Sequence, residues 1–275
     1  MGPDLRKPLT LGLLVGSCVP SILLGQNRAE DKQPQVWSIQ GLKTSYCIRF
    51  VIEPRAAAKE LKDGFRIIPA NQDQTLHPSI RQLIKTQPEF GSWSPSDLCF
   101  YFSDAVQIGA RRVAEKNPRN QQMLAVWTLA SQEEKSGARR DLVLGFFSAR
   151  GSLTRAAEQA GVRLSEAHAS VLDSADTSND VYNVKLERSS LTWRGRPSGD
   201  STRVEGPIDE SWLVPGARGT VWSAQFAFRP TSSRALVGSL SVEGKGDLGK
   251  ALKGSPIRFV GPLYTGGTAE LRFSR

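Results

Sequence analysis

Apolar and polar positions alternate with period two along most of this chain, and helical periodicity is confined to a few short stretches. Tyr46, Ile48, Phe50 and Ile52 alternate with Cys47, Arg49, Val51 and Glu53, the pattern of a half-buried strand that Pro54 stops. Leu98, Phe100 and Phe102 alternate in the same way with Cys99 and Tyr101. Met123 to Ala130 and Leu142 to Ala149 are two further strands, and the polar, glycine-containing segment 131–140 between them predicts a hairpin. After residue 180 the pattern is strand-like almost throughout: Val181–Glu187, Leu191–Arg194, Ser211–Val214, Thr220–Phe228, Ala235–Val242, Ile257–Val260 and Ala269–Phe273.

Helices are few and short. Ala56–Lys62 has helix-forming composition and meets Gly64, a natural stop. His77-Pro78 opens a second helix, with Ile80, Leu83 and Ile84 on one face and a polar imidazole placed to cap the exposed amides. Ser152 caps a third that ends at Gly161, and Asp247 caps a fourth over Leu248–Lys253. The fold class is therefore mainly β (α+β): antiparallel sheet, sandwich or partly closed barrel with a few short helices.

The N-terminus has a different pattern. Arg6 and Lys7 precede an apolar run from Leu9 to Gly25, and a polar stretch follows at once, the three-part layout of a secretory leader. Val15-Gly16-Ser17-Cys18 resembles a lipobox, so the mature form begins either at a lipidated Cys18 or after a cut near Gly25. The organisation that results is a leader over 1–25, a linker over 26–36, a β-rich domain with short helices over 37–172, and a mostly β domain or second half of one domain over 181–275. Location is exported, in the periplasm or cell envelope. Leader removal leaves two cysteines, both inside strand patterns, and an oxidising compartment makes a Cys47–Cys99 disulfide the expectation.

Charge adds a candidate partner class. Of the net +9, the segment 181–275 contributes +6, from 14 Lys or Arg against 8 Asp or Glu. Arg194, Arg196, Arg203, Arg218, Arg229 and Arg234 are the candidate anion-binding residues, and an acidic envelope protein, an anionic lipid or an acidic polysaccharide is the matching partner. Nucleic acid is not expected for an exported chain.

Motifs for chemistry are sparse. The sequence has no Cys-x-x-Cys, no His-Glu-x-x-His, no Gly-x-Ser-x-Gly and no phosphate loop, so neither metal nor cofactor is expected. With two histidines in the chain, a hydrolase would have to use His168 or His77. Leu153 to Val162 resembles the first helix and turn of a helix-turn-helix motif, which gives a cytoplasmic DNA-binding alternative, although Val162 onward alternates like a strand. The sequence thus points to a non-enzymatic binding or structural role at the envelope, with the hydrolase and the DNA-binding protein as alternatives.

Overall fold

The computed structural model describes residues 35–114, 122–148, 151–159, 161–173, 180–186, 188–216 and 219–274. The leader 1–25 with Cys18, the linker up to residue 34, and Arg218 lie outside the described residues. Among the described residues the elements in chain order are β1 (Gln35–Ile52), α1 (Pro54–Ala58), β2 (Phe65–Ile67), α2 (Pro78–Thr86), β3 (Ser94–Ile108), β4 (Arg111–Ala114), β5 (Gln122–Leu129), β6 (Ser131–Glu133), β7 (Asp141–Ser148), α3 (Gly151–Gln159), β8 (Ser165–Asp173), β9 (Asp180–Leu186), β10 (Ser189–Arg203), β11 (Ile208–Pro215), β12 (Val221–Arg229), β13 (Ser232–Gly244), α4 (Asp247–Gly254), β14 (Arg258–Val260), β15 (Leu263–Thr265) and β16 (Thr268–Ser274), with a 3-10 turn at Pro88–Ser92.

Strand pairing leaves β1 and returns to it by two routes. One circuit runs β1–β3–β5–β7–β11–β12–β16 and back to β1. The other shares β1, β3, β5 and β7 and then continues through β8, β9, β10, β13 and β15. The shared strands form a wall with a core on either side. Trp37, Cys47, Tyr101, Val126, Phe146, Trp212, Phe226 and Phe273 face the first core, while Tyr46, Ile48, Phe50, Phe100, Trp127, Phe147 and Trp193 face the second.

The chain is mainly β with few short helices, and the sheet is mixed: β7 pairs in parallel with both β8 and β11. The polar loop 131–140 does join two antiparallel strands, β5 and β7, and it also carries β6, which pairs with β2. The half-buried reading of residues 46–53 is corrected. Cys47 and Val51 are buried like Tyr46 and Phe50, because Cys47 faces the first core and Val51 a third apolar cluster with Ile80, Ile84 and Ile257. The helix-turn-helix resemblance is corrected too: α3 is followed by a strand, and its Leu153 and Ala157 plug one end of the first core, where Trp222 Nε1 donates to Gly161 O at 3.0 Å.

β1 changes partner along its length. Its first residues pair with β16, a bulge follows at Leu42/Thr44, and its second half pairs with β15 and β14. At that second half the first circuit has lost its β1–β16 seam. The end of the first core opposite α3 lies here.

Candidate active site

Inward-facing side chains of the first circuit are apolar through most of its depth and turn charged in the last layer. On β1 the inward series is Cys47 then Arg49; on β3, Tyr101, Cys99, then Asp97; on β7, Val143 then Asp141; on β11, Val214, Trp212, then Glu210. Four strands thus each deliver one ionisable residue to the same end of the core. A cavity of about 440 Å³ opens there, lined by these four together with Thr128, Asp73, His77 and Arg139. The Cys47–Cys99 disulfide joins directly opposed residues of β1 and β3 one layer below Arg49 and Asp97.

Each side chain is positioned by local structure. Arg49 Nη1 donates to Gly261 O at 2.5 Å, and Gly261 adopts φ +121°, a backbone region that residues with a Cβ rarely visit. Arg49 Nε lies 3.8 Å from Asp97 Oδ2. Arg139, from the end of the 131–140 loop, reaches two carboxylates: its Nη1 pairs with Asp73 Oδ1, and its Nη2 is 3.1 Å from Asp141 Oδ1. Asp73 is closed off by Thr75, whose backbone N and Oγ1 both donate to it at 2.9 Å. Asp141 Oδ1 accepts no hydrogen bond in spite of its proximity to the guanidinium. Glu210 Oε2 accepts from Trp212 Nε1 at 2.9 Å.

The balance of charge decides what this layer can do. Asp73, Asp97, Asp141 and Glu210 face the guanidinium groups of Arg49 and Arg139 in a partly buried cavity, so they compete for neutralisation. Burial, reinforced by Glu210 and Asp97 and opposed by Arg139, raises Asp141 to about 7. Burial also raises Glu210 and Asp97, against the pull of Arg49 and Arg139. Burial works against the charge on Arg139, but Asp141 and Asp73 outweigh it and hold this residue above its usual value. Tyr101 and Tyr264, beneath the layer, are both raised, by burial first and by Glu210 among the acids. Asp97 raises both Asp141 and Glu210, and Glu210 raises Asp141, so these carboxyls are coupled.

His77 stands at the rim as the N-cap of α2, as its place before Pro78 implies. Ser79 N donates to Nδ1 at 3.2 Å, and the ring stacks on Phe259 with centroids 4.6 Å apart. Burial and then Arg49 lower it to about 4, so it is neutral at physiological pH. With Nδ1 occupied as an acceptor, Nε2 carries the proton and is a donor.

Of the residues singled out in the sequence, His77 lines the cavity and the disulfide underlies it. His168 sits exposed on β8 opposite Lys185 and does not line the cavity. Arg194, Arg196 and Arg203 are exposed on β10 and Arg229 is exposed at the end of β12, while Arg234 donates to Gly199 O through Nε at 3.2 Å and Nη2 at 2.9 Å. None of the five lines the cavity. Arg49, Asp97, Arg139, Asp141 and Glu210 carried no motif. Their one sequence signal is a charged residue at an inward position of an otherwise apolar alternation, seen at Arg49 between Cys47 and Val51.

No protein family and no curated protein matches the sequence. Solved structures follow a similar chain course: the enduracididine biosynthesis enzyme MppR complexed with pyruvate (9% identity, 90% of this chain and 91% of that one, TM-score 0.49), acetoacetate decarboxylase from Legionella pneumophila (9%, 87% and 87%, 0.48), and an acetoacetate decarboxylase-like enzyme from Sphingomonas wittichii RW1 (9%, 88% and 90%, 0.46). These likenesses assign no residue role. The non-enzymatic expectation is corrected by the charged layer itself, whose acid–base groups the sequence reading did not see. The physical reason that sequence reading missed it is that the acid–base cluster assembles from strands far apart in the chain.

Proposed function

We propose that the chain is an enzyme that moves protons on a small polar metabolite by carboxyl acid–base catalysis in the charged cavity. The observation that carries this reading is the layer itself: Arg49, Asp97, Asp141 and Glu210 delivered from four strands to the open end of an apolar core. A carboxyl held near neutrality gives and takes protons at working pH, which an ordinary carboxylate does poorly. Asp141 is the group assigned that role, with Glu210 as its partner acid. Arg49 is the anchor for a substrate oxyanion or carboxylate, and His77 adds a neutral Nε2–H donor from the rim. A cavity of about 440 Å³ suits a compound of metabolite size.

The lining contains no lysine among its described residues, so amine-imine chemistry is not part of this reading. Enolisation and related proton transfers next to a carbonyl need only the groups present. The test follows hydrogen–deuterium exchange by proton NMR in a panel of small 2-oxo and 3-oxo carboxylates. Exchange or turnover above background is expected with at least one of them. Asp141→Asn should lower it by about 10²-fold or more, the usual worth of a positioned acid–base group. Rates unchanged in Asp141→Asn, or no exchange with any member of the panel, would sink the proposal.

Export remains part of the reading. The leader pattern at 1–25 supports it, and a disulfide inside the core suits an oxidising compartment. N-terminal sequencing of the mature protein should begin at or beyond Cys18; an intact Met1 would contradict export.

A further inference from the structure

One guanidinium in the charged cavity faces two carboxylates and is bonded to only one of them. The main chain of Arg139 is tied at the closing end of the 131–140 loop. It forms an antiparallel bridge with Gln132, Arg140 N donates to Ser131 O at 2.9 Å, and Ser131 Oγ donates back to Arg140 O. From there the side chain extends between Asp73 and Asp141. Nη1 donates to Asp73 Oδ1, whereas Nη2 comes within 3.1 Å of Asp141 Oδ1 and that oxygen still accepts no hydrogen bond.

Asp73 is built to keep its half of the guanidinium. Its side chain is 3% exposed, and Oδ1 accepts from Thr75 N and Thr75 Oγ1, both at 2.9 Å, as well as from Arg139. Its own amide donates to Pro69 O at 3.1 Å, and its carbonyl accepts from Leu76 N at 3.3 Å, so the turn that presents the carboxylate is fixed. A charge-assisted bond is roughly twice as strong as a neutral one, which holds Nη1 at Asp73. Asp141, two residues along the chain from Arg139, is left with the other arm.

We propose that Asp73 is a positioning residue: by holding Nη1 of Arg139 it keeps the guanidinium from closing a two-armed bond on Asp141, and so leaves the Asp141 carboxyl free to meet a substrate. That role rests on the acid–base part proposed for Asp141. Without Asp73, the planar fork of Arg139 matches the Asp141 carboxylate and makes it one half of an ordinary ion pair. The electrostatic balance agrees. Burial raises Asp141 first, Arg139 opposes that rise, and Glu210, Asp97 and Asp73 reinforce it in that order. Glu210 and Asp209 on β11, Asp97 on β3, Arg49 on β1 and His77 at the start of α2 are the other charged or titratable groups of the lining, and Asp73 is the one bonded to the cation that Asp141 faces.

The test is the carboxyl ¹³C inflection of Asp141 in the full chain, assigned by its loss in Asp141→Asn and readable without any turnover. Asp73→Asn, which keeps an acceptor for Thr75, should lower that inflection by about one pH unit, and Arg139→Gln, on a side chain 34% exposed, should raise it by about as much. In the Arg139→Gln background Asp73→Asn should have less than about half its single effect, because it acts through the guanidinium. A purely structural tie between the loop and the 69–76 turn would lower urea stability in both variants without moving the inflection in opposite directions. An inflection unmoved or raised by Asp73→Asn, or lowered equally with and without Arg139, would overturn the proposal. The expected shifts without exchange in any oxo acid would sink the proposed function and leave the placement of Arg139 standing; exchange that depends on Asp141, with an inflection indifferent to Asp73, would do the reverse.

Discussion

At the scale of the residue, Asp141 carries the largest consequence. Its side chain is 13% exposed, its Oδ1 lies near Arg139 without a hydrogen bond, and its folded value is about 7 against 3.8 when free. Because the folded value is raised, the native state holds the proton more tightly than the unfolded chain does. The associated stability is present below about pH 4 and is lost as pH rises toward about 7, reaching at most about 4 kcal/mol for a shift of that size. Asp141→Asn removes the proton-linked loss. Urea denaturation should show the variant gaining on the wild type between about pH 5 and about pH 8, whereas a constant difference across that range would mean that Asp141 titrates normally. His77 is a contrasting case: its capping role was legible from His77-Pro78, but its neutrality was not, since that depends on Arg49 and Phe259, remote in sequence.

Among elements, β1 shows what alternation encodes and what it leaves out. Period two located the strand and its two faces, but the sequence alone gave no sign that both faces meet a core, and Arg49 read as a solvent position. Its inward aim follows from pairing with β3, where Cys47 opposes Cys99 and Arg49 opposes Asp97. Parity of cysteines made the disulfide legible; register makes it part of the wall beneath the site. The bridge spans 52 residues, for which loop-closure entropy gives about 4 kcal/mol. Reduction, or replacement of both cysteines by serine, should lower unfolding stability by roughly that amount. An unchanged denaturation midpoint after complete reduction would refute this. The loop 131–140 was legible as a hairpin connection, yet its functional content, Arg139 bridging Asp73 and Asp141, arises only when the loop folds back over the mouth of the circuit.

For the molecule as a whole, the decisive feature is one wall serving two circuits, with α3 sealing one end of the first core and a charged layer at the other. Strand content and short helices were visible in the pattern of apolar positions. The parallel pairings of β7 with β8 and β11 were not, because crossover topology leaves no periodic trace, and neither was the acid–base cluster that those pairings assemble. An apolar interior ending in competing carboxyls is costly to fold around, and the proposed function gives that cost a use, proton exchange near neutral pH. The most direct measurement of that claim is a pH titration of side-chain carboxyl ¹³C resonances in wild type and Asp141→Asn. A carboxyl inflection near pH 7 that disappears in the variant is predicted; if every carboxyl titrates below about pH 5, as ordinary Asp and Glu do, the proposed catalytic layer is contradicted.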